Sequence, residues 1–179
     1  MHEDNATSVA DFCQSFKPLV GSRSRVLILG SMPGPEALRK QQYYGFSGNH
    51  FWKIIPGLLG QPLPTSYAEK KKLILDNGLA LWDVIGTCVR PGALDSSIRN
   101  VVANDIPGLL KKHSKIQAVF INGQFAHKTF LGKFGDHVSV PVHVLPSTSP
   151  AHASMTVAQK AEKWSAILKF LSNSLKDRP

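Results

Sequence analysis

The sequence contains little cysteine. Only Cys13 and Cys88 are present among its 179 residues, and they lie far apart in the chain. Two thiols provide neither a disulfide framework nor the four thiolates of a zinc or iron–sulfur site. The histidines at positions 113, 127, 137 and 143 show no metal-binding spacing with carboxylates or cysteines. We therefore expect two reduced, partly buried thiols and no metal site.

Long hydrophobic runs are also missing. The longest, at residues 26–29 and 138–145, are far shorter than the ~20 residues that span a bilayer. The first ten residues carry Glu3 and Asp4 and lack the basic stretch followed by an apolar one that marks a secretory signal. We therefore expect a protein without a membrane span, located in the cytoplasm.

Acidic residues are scarce relative to basic ones. The chain has 12 Asp and Glu against 21 Lys and Arg, a net charge of +9. Between residues 12 and 75 the only acidic residues are Glu36 and Glu69. Lys and Arg side chains that dock on phosphates release condensed counterions, so a basic protein is attracted to polyanions. Nucleic acid is the leading partner, and a generally basic protein with dispersed charge is the alternative.

The hydrophobic pattern predicts strands that alternate with helices. We predict strands at residues 25–29, 79–85, 116–121 and 138–145, and helices at residues 67–76, 105–113, 124–130 and 158–175. This order is typical of a three-layer α/β/α fold with a central, mostly parallel sheet of four or five strands. We expect one domain over residues 25–175 and a loosely attached N-terminal segment over residues 1–24.

Three polar loops follow predicted strands, at residues 30–52, 122–124 and 146–154. Ligands of such sheets bind at the carboxyl ends of the strands. In the first loop, Gly30 and Gly34 would let backbone amides approach an anion, although an ordinary tight turn is the alternative. Tyr43 and Tyr44 suit a flat heteroaromatic ligand, whereas Phe51 and Trp52 are expected in the core.

Two of these loops carry the residues of a known family. The stretch GSMPGPEALRKQQYYGFSGNHFW at residues 30–52 and the stretch LPSTSPA at residues 145–151 resemble the uracil-DNA glycosylase superfamily. The hypoxanthine-DNA (deoxyinosine) glycosylase family is the most similar branch, and residues 81–84 and 90–98 resemble it as well. The similarity extends over residues 26–164, and it implies the α/β fold of that superfamily.

The resemblance assigns roles to residues of the first two loops. It implies that Asn49 is catalytic, that Tyr44 stacks on an extruded base and that Asn122 reads the base edge. An amide such as Asn122 can pair with both a donor and an acceptor of hypoxanthine. Met32 stands where mismatch-related enzymes place a water-positioning Asn, a role that a thioether cannot fill. The predicted base-binding residues are Gly30, Ser31, Met32, Pro33, Gly34, Tyr44 and Asn122.

The third loop is expected to contact DNA, because hydroxyl groups bond phosphates and prolines stiffen a loop. The predicted contacts are Ser147, Thr148, Ser149, Pro150 and His152. His152 replaces an Asn that is common in the hypoxanthine family, and its role stays open. For Asp83 the sequence favours a capping or hydrogen-bonded structural role over a place near the site. For Asp95 a turn-stabilising role and a functional role are equally plausible.

Taken with the resemblance, these residues predict a monofunctional DNA glycosylase of base-excision repair that uses no cofactor. The expected substrate is double-stranded DNA containing deoxyinosine, from which a monomeric enzyme hydrolytically removes hypoxanthine. One alternative is a uracil or mismatch (G:U or G:T) glycosylase on the same scaffold. The other is a non-catalytic module that binds damaged DNA.

Overall fold

The computed structural model describes residues 11–171, which contain seven strands and six α-helices. The strands are β1 (Phe12–Gln14), β2 (Val26–Gly30), β3 (Leu79–Asp83), β4 (Ile85–Val89), β5 (Arg99–Ala103), β6 (Ala118–Asn122) and β7 (Val142–Leu145). The helices are α1 (Pro35–Lys40), α2 (Phe51–Leu58), α3 (Tyr67–Asp76), α4 (Ile106–Lys112), α5 (Gln124–Phe134) and α6 (Val157–Trp164), with short 3-10 helices at Asp95–Ser97 and Ser165–Phe170.

A four-stranded parallel sheet forms the centre of the fold, in the order β3-β2-β6-β7. Side chains of β2 alternate between its two faces. Val26 and Ile28 pack in one core cluster with residues of α2, α3 and α6, and Leu27 and Leu29 pack in another with residues of α4 and α5. Helices therefore cover both faces of the sheet, and the predicted three-layer α/β/α architecture is confirmed.

A second, antiparallel sheet in the order β1-β4-β5 was not predicted. The predicted strand at residues 79–85 is wrong at its end, because β3 stops at Asp83 and Ile85 begins β4 in the other sheet. The Val84 amide donates to the Gly30 carbonyl at this transition. Val84 and Ile85 resume the apolar pattern after Asp83, so the segment is predicted as one strand.

The segment before β2 is part of the fold. Strand β1 pairs with β4, and Leu19 forms an isolated bridge with Leu81 of β3. The buried Ser24 hydroxyl donates to the Leu79 carbonyl. The prediction of a loosely attached segment is therefore wrong for residues 11–24, since their polar groups are bonded to strands; residues 1–10 lie outside the described part.

The two cysteines, distant in sequence, face each other. Cys13 of β1 is in register with Cys88 of β4, and both thiols are free and buried. Within residues 11–171 there is no group of three or more His, Cys, Asp or Glu side chains that could hold a metal ion. In the same part of the chain, every helix is too short or too polar to cross a lipid bilayer.

The C-terminal helix is shorter than predicted. Thr156 and Gln159 form a reciprocal capping box at its start, and α6 gives way to a 3-10 helix after Trp164. Ile167 and Leu171 continue its buried face. The predicted extension to Leu175 lies outside the described residues.

Candidate active site

A cavity of about 790 Å³ opens at the carboxyl ends of the parallel strands. All three predicted loops contribute to its wall, and a fourth segment, at the end of β4 and after it, completes it. Every predicted site residue lines this cavity: Gly30, Ser31, Met32, Pro33, Gly34, Tyr44, Asn49, Asn122, Ser147, Thr148, Ser149, Pro150 and His152. The loops thus converge as the sequence predicted, and the individual roles stay predictions.

The first loop begins with a close approach at Gly30. A Cβ atom there would lie 2.7 Å from the Asp83 Oδ1 atom and 3.4 Å from the Tyr44 hydroxyl oxygen, so a side chain does not fit without displacing the carboxyl. The Ser31 hydroxyl donates to Asp95 Oδ2 at 2.9 Å. Since two carboxyl groups border this loop, the geometry does not favour a phosphate cradle.

The Met32 side chain is buried and packs with Ile85 and with the two cysteines. It therefore contributes an apolar side chain and no group that could hold a water molecule. The predicted part of Met32 in base binding stays a prediction.

The Tyr44 ring forms one wall of the cavity. It stacks on Phe51 with ring centroids 3.9 Å apart and planes 15° apart. Its backbone is left-handed, with φ of 52°. Burial raises the pKa of the Tyr44 phenol, so the hydroxyl stays neutral.

The residues around this ring are structural, as the sequence predicted for two of them. Phe51 is fully buried and Trp52 is 6% exposed. The Trp52 indole donates to the Tyr43 carbonyl, and the Tyr43 hydroxyl donates to the Lys17 carbonyl. Both Tyr43 and Tyr44 line the cavity, but the hydrogen bonds of Tyr43 tie it to the core, and its predicted contact with a flat ligand stays a prediction.

Asn49 is held at the start of α2. Its Oδ1 atom accepts a hydrogen bond from the Phe51 amide at 2.9 Å, which fixes the orientation of the side chain. The His50 amide donates to the Thr148 carbonyl at 2.9 Å. The start of α2 is thereby tied to the third loop, and Asn49 is held beside it.

Asn122, at the end of β6, is already bonded within the protein. Its Nδ2 atom donates to Thr148 Oγ1 at 2.9 Å and to the Tyr44 hydroxyl at 3.3 Å, and its Oδ1 atom accepts from the Thr148 amide at 2.9 Å. Both N–H groups of the Asn122 side chain already have acceptors. The side chain could therefore bond both a donor and an acceptor of the base only if one of these N–H bonds within the protein were broken.

Thr148 corrects a prediction about the third loop. It is 1% exposed and bonds Asn122 through both its hydroxyl and its amide. The buried Thr148 side chain orients the side-chain amide of Asn122 and does not reach a DNA phosphate. The Ser147 and Ser149 hydroxyls accept hydrogen bonds from the Ser149 and Ala151 amides of the same loop. Pro150 is exposed.

Sequence reasoning missed Lys160. This residue of α6 is fully buried, and its Nζ atom donates to the Ser149 carbonyl at 3.0 Å and lies 3.4 Å from His50 Nδ1. Burial and the nearby lysines, Lys160 and Lys53, lower the pKa of His50, so its neutral ring can accept from Lys160. No local pattern marks a lysine that is buried by distant segments.

Asp83, Arg90 and Asp95 also line the cavity. The structural role favoured for Asp83 is not supported, because its Oδ2 atom is buried without a hydrogen-bond partner among the described residues. Burial, reinforced by the charge of Asp95, raises the pKa of Asp83 to about 7. Arg90 is buried and donates to the Pro33 carbonyl at 2.8 Å. The charged Asp83, two residues before the end of the predicted strand at residues 79–85, was the available signal.

Comparisons with known proteins agree with this geometry. The sequence profile of the uracil DNA glycosylase superfamily matches residues 18–171. A hypoxanthine DNA glycosylase of Methanosarcina acetivorans is 33% identical over 159 residues, which cover 87% of this chain and 98% of that protein. A hypoxanthine DNA glycosylase of Methanosarcina barkeri is 33% identical over 112 residues, which cover 62% of this chain and 71% of the relative.

A solved structure shares the fold. The solution NMR structure of a Methanosarcina acetivorans protein, provisionally named a uracil DNA glycosylase, superposes with a TM-score of 0.76 at 32% identity. The match covers 90% of this chain and 99% of that one. The superfamily expected from the loop motifs is confirmed: the chain belongs to the uracil DNA glycosylase superfamily.

Proposed function

We propose that this protein is a monofunctional DNA glycosylase that hydrolyses the bond between hypoxanthine and deoxyribose in duplex DNA. The observation that carries the proposal is the convergence of Asn49, Tyr44 and Asn122 on one cavity. The similarity to two hypoxanthine DNA glycosylases supports the choice of base. A monomeric state and a cytoplasmic location remain part of the proposal.

The cavity suits a base that has left the stack. An enzyme of this class must extrude the nucleotide and hold the base by stacking and by its polar edge. The Tyr44 ring, supported by Phe51, offers a flat surface for the base. The volume of about 790 Å³ lies in the range of small-molecule sites, which leaves space for the sugar as well as the base.

Asn49 is the proposed catalytic residue. As the glycosidic bond breaks, the sugar becomes oxocarbenium-like and the departing base becomes anionic. The second lone pair of the Asn49 Oδ1 atom can hold a water molecule, while the first accepts the Phe51 amide. An amide is a poor general base, so the rate enhancement would come from positioning the water and from electrostatics.

The rim would meet the DNA backbone. Ser147, Ser149, Pro150 and His152 lie on the third loop at the mouth of the cavity. The net charge of +9 supplies the attraction to phosphates. Lys160 is enclosed and bonded to a backbone carbonyl, so it would not form the Schiff base of a lyase step.

The test is a panel of labelled duplexes that contain deoxyinosine, deoxyuridine or a G:T mismatch. With protein in excess, we expect abasic sites in the deoxyinosine duplex, strand cleavage only after alkali, and slower reaction on the other duplexes. Faster reaction on deoxyuridine would favour the uracil alternative. Absence of abasic sites from every duplex would overturn the enzymatic proposal.

The variant Asn49→Ala separates an enzyme from a binding module. We expect a rate at least ~100-fold lower, since removal of one preorganised polar group in an active site commonly has that effect. DNA affinity should change little. If the wild-type protein prefers deoxyinosine DNA in binding but releases no base, the chain is a damaged-DNA-binding module.

A further inference from the structure

One carboxyl group of the cavity has no role in the proposed reaction. Asp83 ends strand β3 and is 4% exposed. Its Oδ2 atom is buried and has no hydrogen-bond partner within residues 11–171. A buried polar atom without a partner is costly and rare in native proteins. An unpaired carboxyl oxygen in the wall of a cavity therefore indicates a ligand group that completes it.

Asp83 lies next to the surface on which the base is expected to stack. The place that a Cβ atom of residue 30 would take is 2.7 Å from Asp83 Oδ1 and 3.4 Å from the Tyr44 hydroxyl oxygen. Gly30 leaves this place empty, and the carboxyl and the phenol approach each other across it. The Asp83 carboxyl and the Tyr44 hydroxyl therefore border the same part of the cavity wall.

The surroundings of Asp83 favour its neutral form. Asp95 faces Asp83 from the 3-10 helix after β4, and Tyr43 and Tyr44 face it from the turn after α1. Arg90, directly after β4, lines the same cavity. The Arg90 guanidinium is directed at the Pro33 carbonyl, and no ion pair of Asp83 is found among the described residues. Burial together with the Asp95 charge raises the pKa of Asp83 to about 7. Near neutral pH a large fraction of the carboxyl groups thus carries a proton and can donate it in a hydrogen bond.

Among the polar groups of the cavity wall, the buried Arg90 Nε atom also lacks a partner within residues 11–171, whereas the Asn122 amide does not. The two Asn122 N–H groups are directed at Thr148 and Tyr44. Met32 offers no donor. A departing purine gains negative charge, and its O6, N7 and N3 atoms accept hydrogen bonds, so a donor that faces it lowers the barrier.

We propose that Asp83 is a second catalytic residue, whose neutral carboxyl donates a hydrogen bond to an acceptor atom of the extruded purine. The proton remains on Asp83, and the bond stabilises the charge of the leaving base. The proposal rests on the proposed glycosylase function. It predicts that the reaction slows as Asp83 ionises, since a carboxylate cannot donate and repels an anionic base.

The experiment measures the single-turnover rate of hypoxanthine release from a deoxyinosine duplex between about pH 5.5 and pH 9. For the wild type we expect a fall in rate above about pH 7. Asp83→Asn keeps a donor but does not titrate, so its rate should stay within about tenfold of the wild type and show no alkaline fall. Asp83→Ala removes the donor and should be slower by about tenfold to a hundredfold at pH 6.

Two further variants complete the design. Asp95→Asn removes the like charge that faces Asp83 and should move the alkaline fall to lower pH. Asp76→Asn removes an exposed carboxylate that is paired with Arg23 and Lys72 on the surface, and it should behave as the wild type does. Circular dichroism and thermal unfolding establish that each variant is folded.

Several results would overturn the proposal. They are an alkaline fall that persists in Asp83→Asn, a folded Asp83→Asn as slow as Asp83→Ala, or an Asp83→Ala as fast as the wild type. If Asp83→Asn does not fold, the proposal is overturned by a pH–rate profile of Asp95→Asn in which the alkaline fall is not shifted to lower pH. Failure of the wild type to release hypoxanthine would instead refute the proposed function itself.

Discussion

The hydroxyl of Thr148 provides a sharp test of how the site is organised. This hydroxyl accepts a hydrogen bond from Asn122 Nδ2 at 2.9 Å inside the protein, with Thr148 1% exposed. Thr148→Val removes the hydroxyl and keeps almost the same shape, so it leaves one N–H of Asn122 without an acceptor. A buried donor that loses its partner costs about 1 to 3 kcal/mol, and the Asn122 amide, which is half-buried and lines the cavity, is expected in the lower part of that range.

The expected loss of stability is measurable. We take about 1 to 2 kcal/mol, because the bond from the Thr148 amide to Asn122 Oδ1 survives. In a domain of this size each kcal/mol lowers the Tm by about 2 to 4 °C, so calorimetry should show a fall of about 2 to 8 °C. The side chain of Asn122 also loses an orienting bond, and we expect kcat/KM on deoxyinosine DNA to fall about tenfold, equivalent to about 1.4 kcal/mol.

Matched variants separate the hydroxyl from other effects. Thr148→Ser keeps the hydroxyl and should stay near the wild type in rate, and Thr129→Val makes the same exchange at a hydroxyl of α5 that donates to the Phe125 carbonyl. If Thr148 acts through Asn122, adding Thr148→Val to Asn122→Ala should lower the rate little further. Thr148→Val and Thr148→Ser variants with equal Tm and equal rate would refute the reasoning. Equally weaker binding of undamaged and deoxyinosine duplexes by Thr148→Val would restore the phosphate contact that the structure rejects.

Three other predictions follow from contacts of the cavity wall. Tyr44→Phe keeps the stack on Phe51 and should reduce the rate only a few-fold, whereas Tyr44→Leu should weaken binding of deoxyinosine DNA by about tenfold or more; equal affinities would count against stacking. Gly30→Ala should lower the Tm and the rate, because the added Cβ atom would lie 2.7 Å from Asp83 Oδ1. In the control Gly57→Ala the Cβ atom meets no atom within 4 Å, so the Tm and the rate should not change. An unchanged Tm and rate in Gly30→Ala would contradict the close approach. The raised pKa of Asp83 means that the folded state holds a proton that the unfolded state releases, so the contribution of Asp83 to stability is lost as pH rises through about 7. Denaturant unfolding should therefore show that Asp83→Asn gains stability relative to the wild type between pH 5 and pH 8. The absence of this gain would disprove that the Asp83 carboxyl is buried and unpaired.

The parts of the fold that the sequence predicted are those with local signals. Helix α3 has its predicted bounds, because Ser66 and Glu69 form a capping box before it and Asn77 and Gly78 end it. The helix after Asp105 begins as expected, with the Asp105 carboxylate accepting the Gly108 amide. Strand β1 escaped prediction because it has three residues and pairs with a segment distant in the chain. Strands β4 and β5 escaped prediction because their pairing is irregular in register, which breaks a regular alternation of side chains.

The candidate site divides in the same way. Residues in motifs, such as Asn49 and Tyr44, were found because their order along the chain is informative. Thr148, Lys160 and Asp83 were misjudged or missed, because burial and the presence or absence of a partner depend on segments far away in sequence. From the sequence alone, a hydroxyl in a polar loop is expected at the surface, and only the fold shows that the Thr148 hydroxyl is buried.

The most direct test of the central claim is chromatographic identification of the free base. Wild-type protein in excess is incubated with a duplex that contains one deoxyinosine, and the released base and the abasic sites are measured together. We expect free hypoxanthine in an amount equal to the abasic sites, and almost none from Asn49→Ala over the same time. Binding of the duplex without any free hypoxanthine would contradict it.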